Sequence, residues 1–166
     1  MPTSTGRSRP LPTSSTLDLW ETLAAEAAAE SPLWGDALRA HPERLGIFGP
    51  LAPGRFALGL ETIYEGYLVH YGRPRLFEPA DDETALLLGD YLYAHGLVRI
   101  AATGELEAVV ALAELISTCA HLRAEQAAGD GEAWVDAVRR LGGDPGPGIV
   151  EQALAAHASR LVSSRP

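Results

Sequence analysis

The chain has no lysine; all thirteen basic residues among its 166 are arginine. Schiff-base chemistry and a Walker-type phosphate loop both need a lysine amine, so both are excluded. Cysteine is nearly absent as well. The single Cys119 excludes an intramolecular disulfide, and its apolar setting "AELISTCAHL" predicts a small core filler rather than a nucleophile. No stretch approaches the roughly 18 apolar residues of a membrane span, so no integral membrane segment is expected. Positive charge is scarce: the formal net charge is −9, which speaks against a broad phosphate-binding surface and against nucleic acid as a partner. The first residues, "MPTSTGRSRPLPTSST", lack the apolar stretch of a secretory signal. Their Ser, Thr, Pro and Arg content predicts a disordered leader over 1–16, followed by a single domain over 17–164 in a cytoplasmic protein.

Sustained alternation of apolar and polar residues is also missing, so no strand is expected and the fold class is all-α, a compact bundle of about six to seven helices. Helix signals are plentiful. Thr16 is placed to cap "LDLWETLAAEAAAE", and Ser31-Pro32 ends that helix and opens a second one, "LWGDALRAHPERL", broken near Pro42. After the loop "GIFGPLAPG", a third helix is expected from about Arg55 to Tyr71. Asp81 is suited to cap a fourth, "DDETALLLGDYLYAHGLVRIAA", whose apolar character almost all round predicts a central, buried helix. Thr103-Gly104 stops it, and the fifth helix, "ELEAVVALAELISTCAHLRAEQAA", folds back on it as an antiparallel hairpin. "EAWVDAVRRLG" and "GIVEQALAAHASRLV" complete the set.

On the third helix Leu60, Tyr64, Tyr67 and Tyr71 share one stripe, and Gly59 and Gly66 lie two turns apart on another. Glycine costs a helix about 1 kcal/mol against alanine, so paired glycines point to close approach, either by another helix or by a ligand chain. Elsewhere, Asp90 on the apolar fourth helix needs a hydrogen-bonding or cationic partner if buried, and serves equally well as a ligand residue. Arg73 and Arg75 bracket Pro74, a stiff pair of guanidiniums suited to a diphosphate unless simply solvated. Asp81, Asp82 and Glu83 form an acidic group that suits Mg²⁺ and, equally, a helix N-terminus. The five histidines lack the pairing that a zinc or di-iron site needs.

Two segments together carry a resemblance. "LLLGDYLYAHGLVRIAATGELEAVVALAELI", residues 86–116, is similar to the L-A-G-D-Y-L-x-A helix and following helix of the trans-polyprenyl diphosphate synthases. Upstream, "LGLETIYEGYLVH" resembles the stretch that leads into that family's first aspartate-rich motif. The resemblance implies an isoprenoid-synthase type of helical fold and sets His70 on the family's histidine. It then implies an aspartate pair at Tyr71 and Gly72, where there is none, and a second aspartate-rich motif downstream, which is also missing. Those carboxylates hold the Mg²⁺ ions that stabilise a diphosphate leaving group. A chain without them resembles the non-catalytic small subunit of heterodimeric synthases: no cofactor of its own, with Mg²⁺ entering only if a partner synthase supplies the site.

The leading expectation is therefore an accessory subunit or pseudoenzyme that joins a polyprenyl synthase subunit or its own copy. Tyr64, Tyr67, Tyr71, Gly59 and Gly66 are the expected interface, Arg73 and Arg75 the diphosphate ligands, and Asp90 and His70 ligand or buried polar groups. Two alternatives stand beside it. One is a helical interaction module without an isoprenoid role. The other is a small diphosphate-acting enzyme built on Asp81, Asp82, Asp90, Arg73 and Arg75.

Overall fold

A computed structural model describes residues 15–161, with side chains from Leu19 onward. Seven α-helices and one 3₁₀ turn make up these residues, and no strand is present among them. The helices are α1 (Ser15–Glu30), α2 (Pro32–Asp36), α3 (Gly54–Tyr71), α4 (Asp82–Ala101), α5 (Leu106–Ala124), α6 (Asp130–Arg140) and α7 (Pro147–Leu161); the turn is Gly49–Leu51. The protein is all-α. The leader expected over 1–16 lies outside the described residues except for its last two positions, which begin α1, so Thr16 stands inside that helix rather than before it.

Local signals set most boundaries. Asp81 accepts a hydrogen bond from the Thr84 N–H at 2.7 Å, an N-cap that satisfies one of the orphan donors of α4. Ser31 caps α2 in the same way, through Leu33 N, and Pro32 takes its first position. Gly104, at φ +79°, turns the chain between α4 and α5 where a Cβ would be strained.

The second helix is much shorter than expected. It stops at Asp36, and residues 37–48 run without regular structure because they pair with the segment after α3. Arg39 N–H donates to Leu76 O (2.9 Å), Glu43 N–H to Arg75 O (3.0 Å) and Glu78 N–H to Ala37 O (2.7 Å), beside an isolated bridge between Leu38 and Phe77. Those bonds supply partners that a longer helix would have supplied locally.

The buried centre is α3, not α4. Twelve of the eighteen α3 residues are buried, against six of the twenty in α4. One side of α3 packs on α5, α6 and α7 through Leu112, Leu115, Trp134, Val138 and Ala153. Another side, with α4, closes a second cluster around Leu23, Val69, Phe77, Leu88 and Leu92. The α4 helix presses one narrow stripe on α3 and leaves Leu86, Leu87 and Val98 exposed. An all-round apolar helix signals low polarity, but it does not say how many neighbours the helix will have.

Candidate functional site

The α3–α4 contact depends on glycine. A Cβ on Gly59 would stand 2.6 Å from Ile100 Cδ1 and 3.3 Å from Gly96 O, and one on Gly66 would stand 3.0 Å from Gly89 O and 3.1 Å from Leu92 Cβ. The close approach inferred from these glycines is therefore to another helix of the same chain. The expectation that Gly59 and Gly66 line an intermolecular interface or a ligand slot is corrected: α4 fills that space.

The tyrosine stripe is turned inward as well. Tyr64 and Tyr67 are fully buried, stacked at 5.9 Å, and Tyr71 is half-buried against Tyr67. Tyr64 and Tyr67 cannot meet a partner chain without unfolding. The Tyr64 hydroxyl lies 2.9 Å from His157 Nδ1 on α7. The Tyr67 hydroxyl donates to Asp130 Oδ2 on α6, an oxygen that also takes hydrogen bonds from Arg123 on α5. His157 Nε2 sits 3.6 Å from the same oxygen, buried and without a hydrogen bond. Three helices, α3, α5 and α6, are thus joined through one carboxylate, with His157 of α7 beside it. Burial alone would raise the Asp130 carboxyl, but hydrogen bonds from Tyr67 and Arg123 outweigh it and hold Asp130 below the usual range. Burial lowers His157, with Asp130 pulling the other way. Cys119 is buried close by, its thiol pushed up to about 12 by burial, so it is the inert filler expected.

Arg75 reverses its expected role. Its side chain is fully buried, and so are Glu61 and Glu65, one turn apart on α3. The guanidinium donates through Nη1 to Glu61 Oε2 and through Nε to Glu65 Oε2 (2.9 Å), and lies over the rings of Trp20 and Tyr64. The remaining carboxylate oxygens accept backbone N–H groups: Ile47 (3.0 Å) and Gly49 (2.6 Å) on Glu61, Arg75 (2.8 Å) and Leu76 (2.7 Å) on Glu65. Two loops are pinned to α3 by this triad, and no donor of Arg75 is left facing solvent for a diphosphate. Arg73 is exposed, but it is tied to the end of α7: its N–H donates to Arg160 O (2.9 Å) and its Nη2 to Ser159 O (3.1 Å).

Asp90 is an exposed residue, its side chain 67% accessible, rather than a buried structural group; it pairs with His70 Nε2 at 3.2 Å. The His70 ring lies directly on Gly89, where a Cβ would come within 2.6 Å of Cε1. Burial lowers His70, opposed by the Asp90 charge. Asp81 and Asp82 start α4 about 12 Å, eight rises of about 1.5 Å, before Asp90. With Arg75 inside and Arg73 bound to α7, the five residues of the enzyme reading do not converge. Among the described residues no three His, Cys, Asp or Glu are grouped to hold a metal ion. Surface grooves lie elsewhere: one of about 360 Å³ borders Arg139, Pro145, Val150 and Leu154, and one of about 210 Å³ borders Leu45, Pro50, Ile149 and Ala153.

Of the residues that do most of the polar work, Glu61, Glu65, Asp130 and His157 were not singled out from sequence, and Arg123, a candidate partner for Asp90, pairs with Asp130 instead. For the first two the spacing tells only that they share a face: glutamates at i and i+4 fit a solvated face as well as a buried one.

The histidines give the protein a pH dependence. A histidine whose folded pKa is depressed takes up its proton first in the unfolded chain, so its contribution is complete above the unfolded value and declines below it. His70 and His157 should therefore lower stability as pH falls from about 6.5, whereas the depressed carboxylates Asp130 and Glu43 act only below about 4.5. Urea midpoints are expected to drop between pH 7 and pH 5, and His157→Gln should flatten that slope. An unchanged slope in the variant would remove His157 from the account.

No family model, curated protein or solved structure matches this chain.

Proposed function

We propose that this chain is a non-catalytic relative of the polyprenyl diphosphate synthases, an accessory subunit that acts in isoprenoid biosynthesis through a partner synthase. The observation that carries the reading is the closed end of α3. Where the resemblance calls for a pair of Mg²⁺-binding aspartates, Tyr71 packs between Tyr67 and His70. Next to it, a Cβ on Gly72 would meet Arg160 O at 2.8 Å and Leu161 Cδ2 at 3.3 Å. A carboxylate at position 72 would strike α7 rather than face a ligand. The two segments that carry the resemblance do pack on each other, His70 against Gly89 and Asp90. Under this reading the protein is cytoplasmic, binds no nucleic acid, and depends on the partner for any Mg²⁺; no helix among the described residues is long and apolar enough to cross a membrane.

A second reading is favoured by the glycine contact between α3 and α4, which leaves no channel for a prenyl chain between them: a helical interaction module with no isoprenoid role. One experiment separates the two. Alone, the protein is expected to give no prenyl transfer from allylic and isopentenyl diphosphates with Mg²⁺. Added to a polyprenyl synthase of the same cell, it should bind and change the product. EDTA-sensitive turnover by the chain alone would overturn both readings; absence of any effect on the synthase leaves only the second.

A further inference from the structure

We propose that the apolar groove straddling Gly46 and Pro50 is filled by the chain's own first residues, with Pro10-Leu11-Pro12 at the centre of the contact. The groove has two lobes. One of about 170 Å³ is bordered by Leu19 and Trp20 of α1 and Ala57 of α3; the other, of about 210 Å³, by Leu45, Leu51 and Ile149. Gly46 and Pro50 border both, so the lobes adjoin. Leu45 is 54% accessible and Ile149 49%, and the one charged residue on either lining, Glu61, is neutralised by Arg75. An exposed, uncharged hollow of this kind suits an apolar segment.

Position and sequence name the occupant. Leu19 follows Ser15, the first residue described, by four positions, about 6 Å along α1, so the chain enters that helix beside the first lobe. Residues 9–14 can reach up to about 20 Å from that point. No residue of α1 borders the larger groove at Val150 and Leu154. Before Ser15 the large apolar side chains are Met1 and Leu11, and Leu11 stands between two prolines. Arg9 and Leu11 each precede a proline, which disfavours the helical region for both. "RPLP" is thereby biased towards the extended form that docks in grooves with little loss of conformational freedom.

Charge favours the same pairing. Residues 1–14 hold Arg7 and Arg9 and no acid, a charge of +2. Residues 15–161 carry ten arginines and all twenty-two acidic residues, a charge of −12. Glu21, which follows Trp20, and Glu151, which precedes Gln152, are exposed next in sequence to lining residues of the two lobes. Opposite charges steer such a segment and help to fix its register. The contact need not be strong: a tether of a few residues gives millimolar effective concentration, so even a millimolar affinity leaves the groove about half filled. The inference does not depend on the isoprenoid reading.

A nitroxide attached at Ser8→Cys in the full chain tests it, since the buried Cys119 takes no label. The amide signals of Gly46, Leu51 and Gln152 are expected to lose about half of their intensity or more relative to the reduced label, the fraction that millimolar docking predicts. Leu11→Ser in the labelled chain, and separately Ile149→Glu, should restore those signals while the rest of the spectrum stays that of the folded parent. Full intensity in the labelled parent overturns the proposal. So does a loss that persists in Leu11→Ser, because the tether alone then causes it. A loss seen only between a labelled and an unlabelled copy also overturns it, because the groove then holds a second chain's segment.

Discussion

Arg75→Met should melt roughly 10 °C or more below the parent chain, since removing one partner of a buried ion pair costs about 3–5 kcal/mol and each kcal/mol moves a domain of this size by about 2–4 °C. The cost comes from the residues left behind. Glu61 and Glu65 are at most 1% accessible, and without the guanidinium two carboxylates remain in the core beside Trp20 and Tyr64. Neither can reach water, and a buried carboxylate without a cationic partner is costly. Arg75→Lys should recover little, because one ammonium cannot serve the Nε and Nη1 positions that face different carboxylates. Replacing all three charges, Glu61→Met with Glu65→Leu and Arg75→Met, removes the stranded carboxylates and should stabilise relative to the single variant. The recovery is partial, because the N–H groups of Ile47, Gly49, Arg75 and Leu76 then lose their acceptors. Thermal melts of the four proteins check the order. A single Arg75→Met variant that melts with the parent would show that the triad does not hold these loops.

The second large effect is expected at Gly66. Leucine there must displace Gly89 O and Leu92 Cβ, which a new Cβ would meet at 3.0 and 3.1 Å, and overpacking of this kind costs about 1–3 kcal/mol. The obstacle is α4 backbone, so a rotamer change cannot relieve it. Leucine returns part of the loss, about 1 kcal/mol, through its better helix propensity. The melting temperature should still fall by several degrees, because the residue faces α4. Gly66→Leu that melts with the parent would show that α4 does not close on this stripe.

The elements with local causes could be read from the chain alone. Ser31-Pro32, Asp81 and Thr103-Gly104 define helix ends whatever surrounds them, because a cap or a positive φ is satisfied within a few residues. The absence of β alternation fixed the all-α class for the same reason. Cys119 was legible as core from its neighbours. The glycine pair announced a close approach, since nothing else justifies two glycines in a helix interior. Its partner was not legible: the same stripe suits an external chain, a ligand or α4, and only the packing chose α4.

Direction was what the tertiary structure decided. Arg75 follows a helix end where arginine is ordinarily solvated, and it became a core residue because Glu61 and Glu65 emerge from α3 on the side where the following loop folds back. Asp90 lies in a largely apolar helix and yet faces water, because α4 spends one stripe on α3 and has no second layer above it. Residues 37–48 lost their helical tendency to backbone partners at 75–78. Periodicity tells which residues of a helix share a face. It does not tell which face the rest of the chain will cover, since that depends on contacts between segments far apart in sequence, and those exist only once the fold is formed.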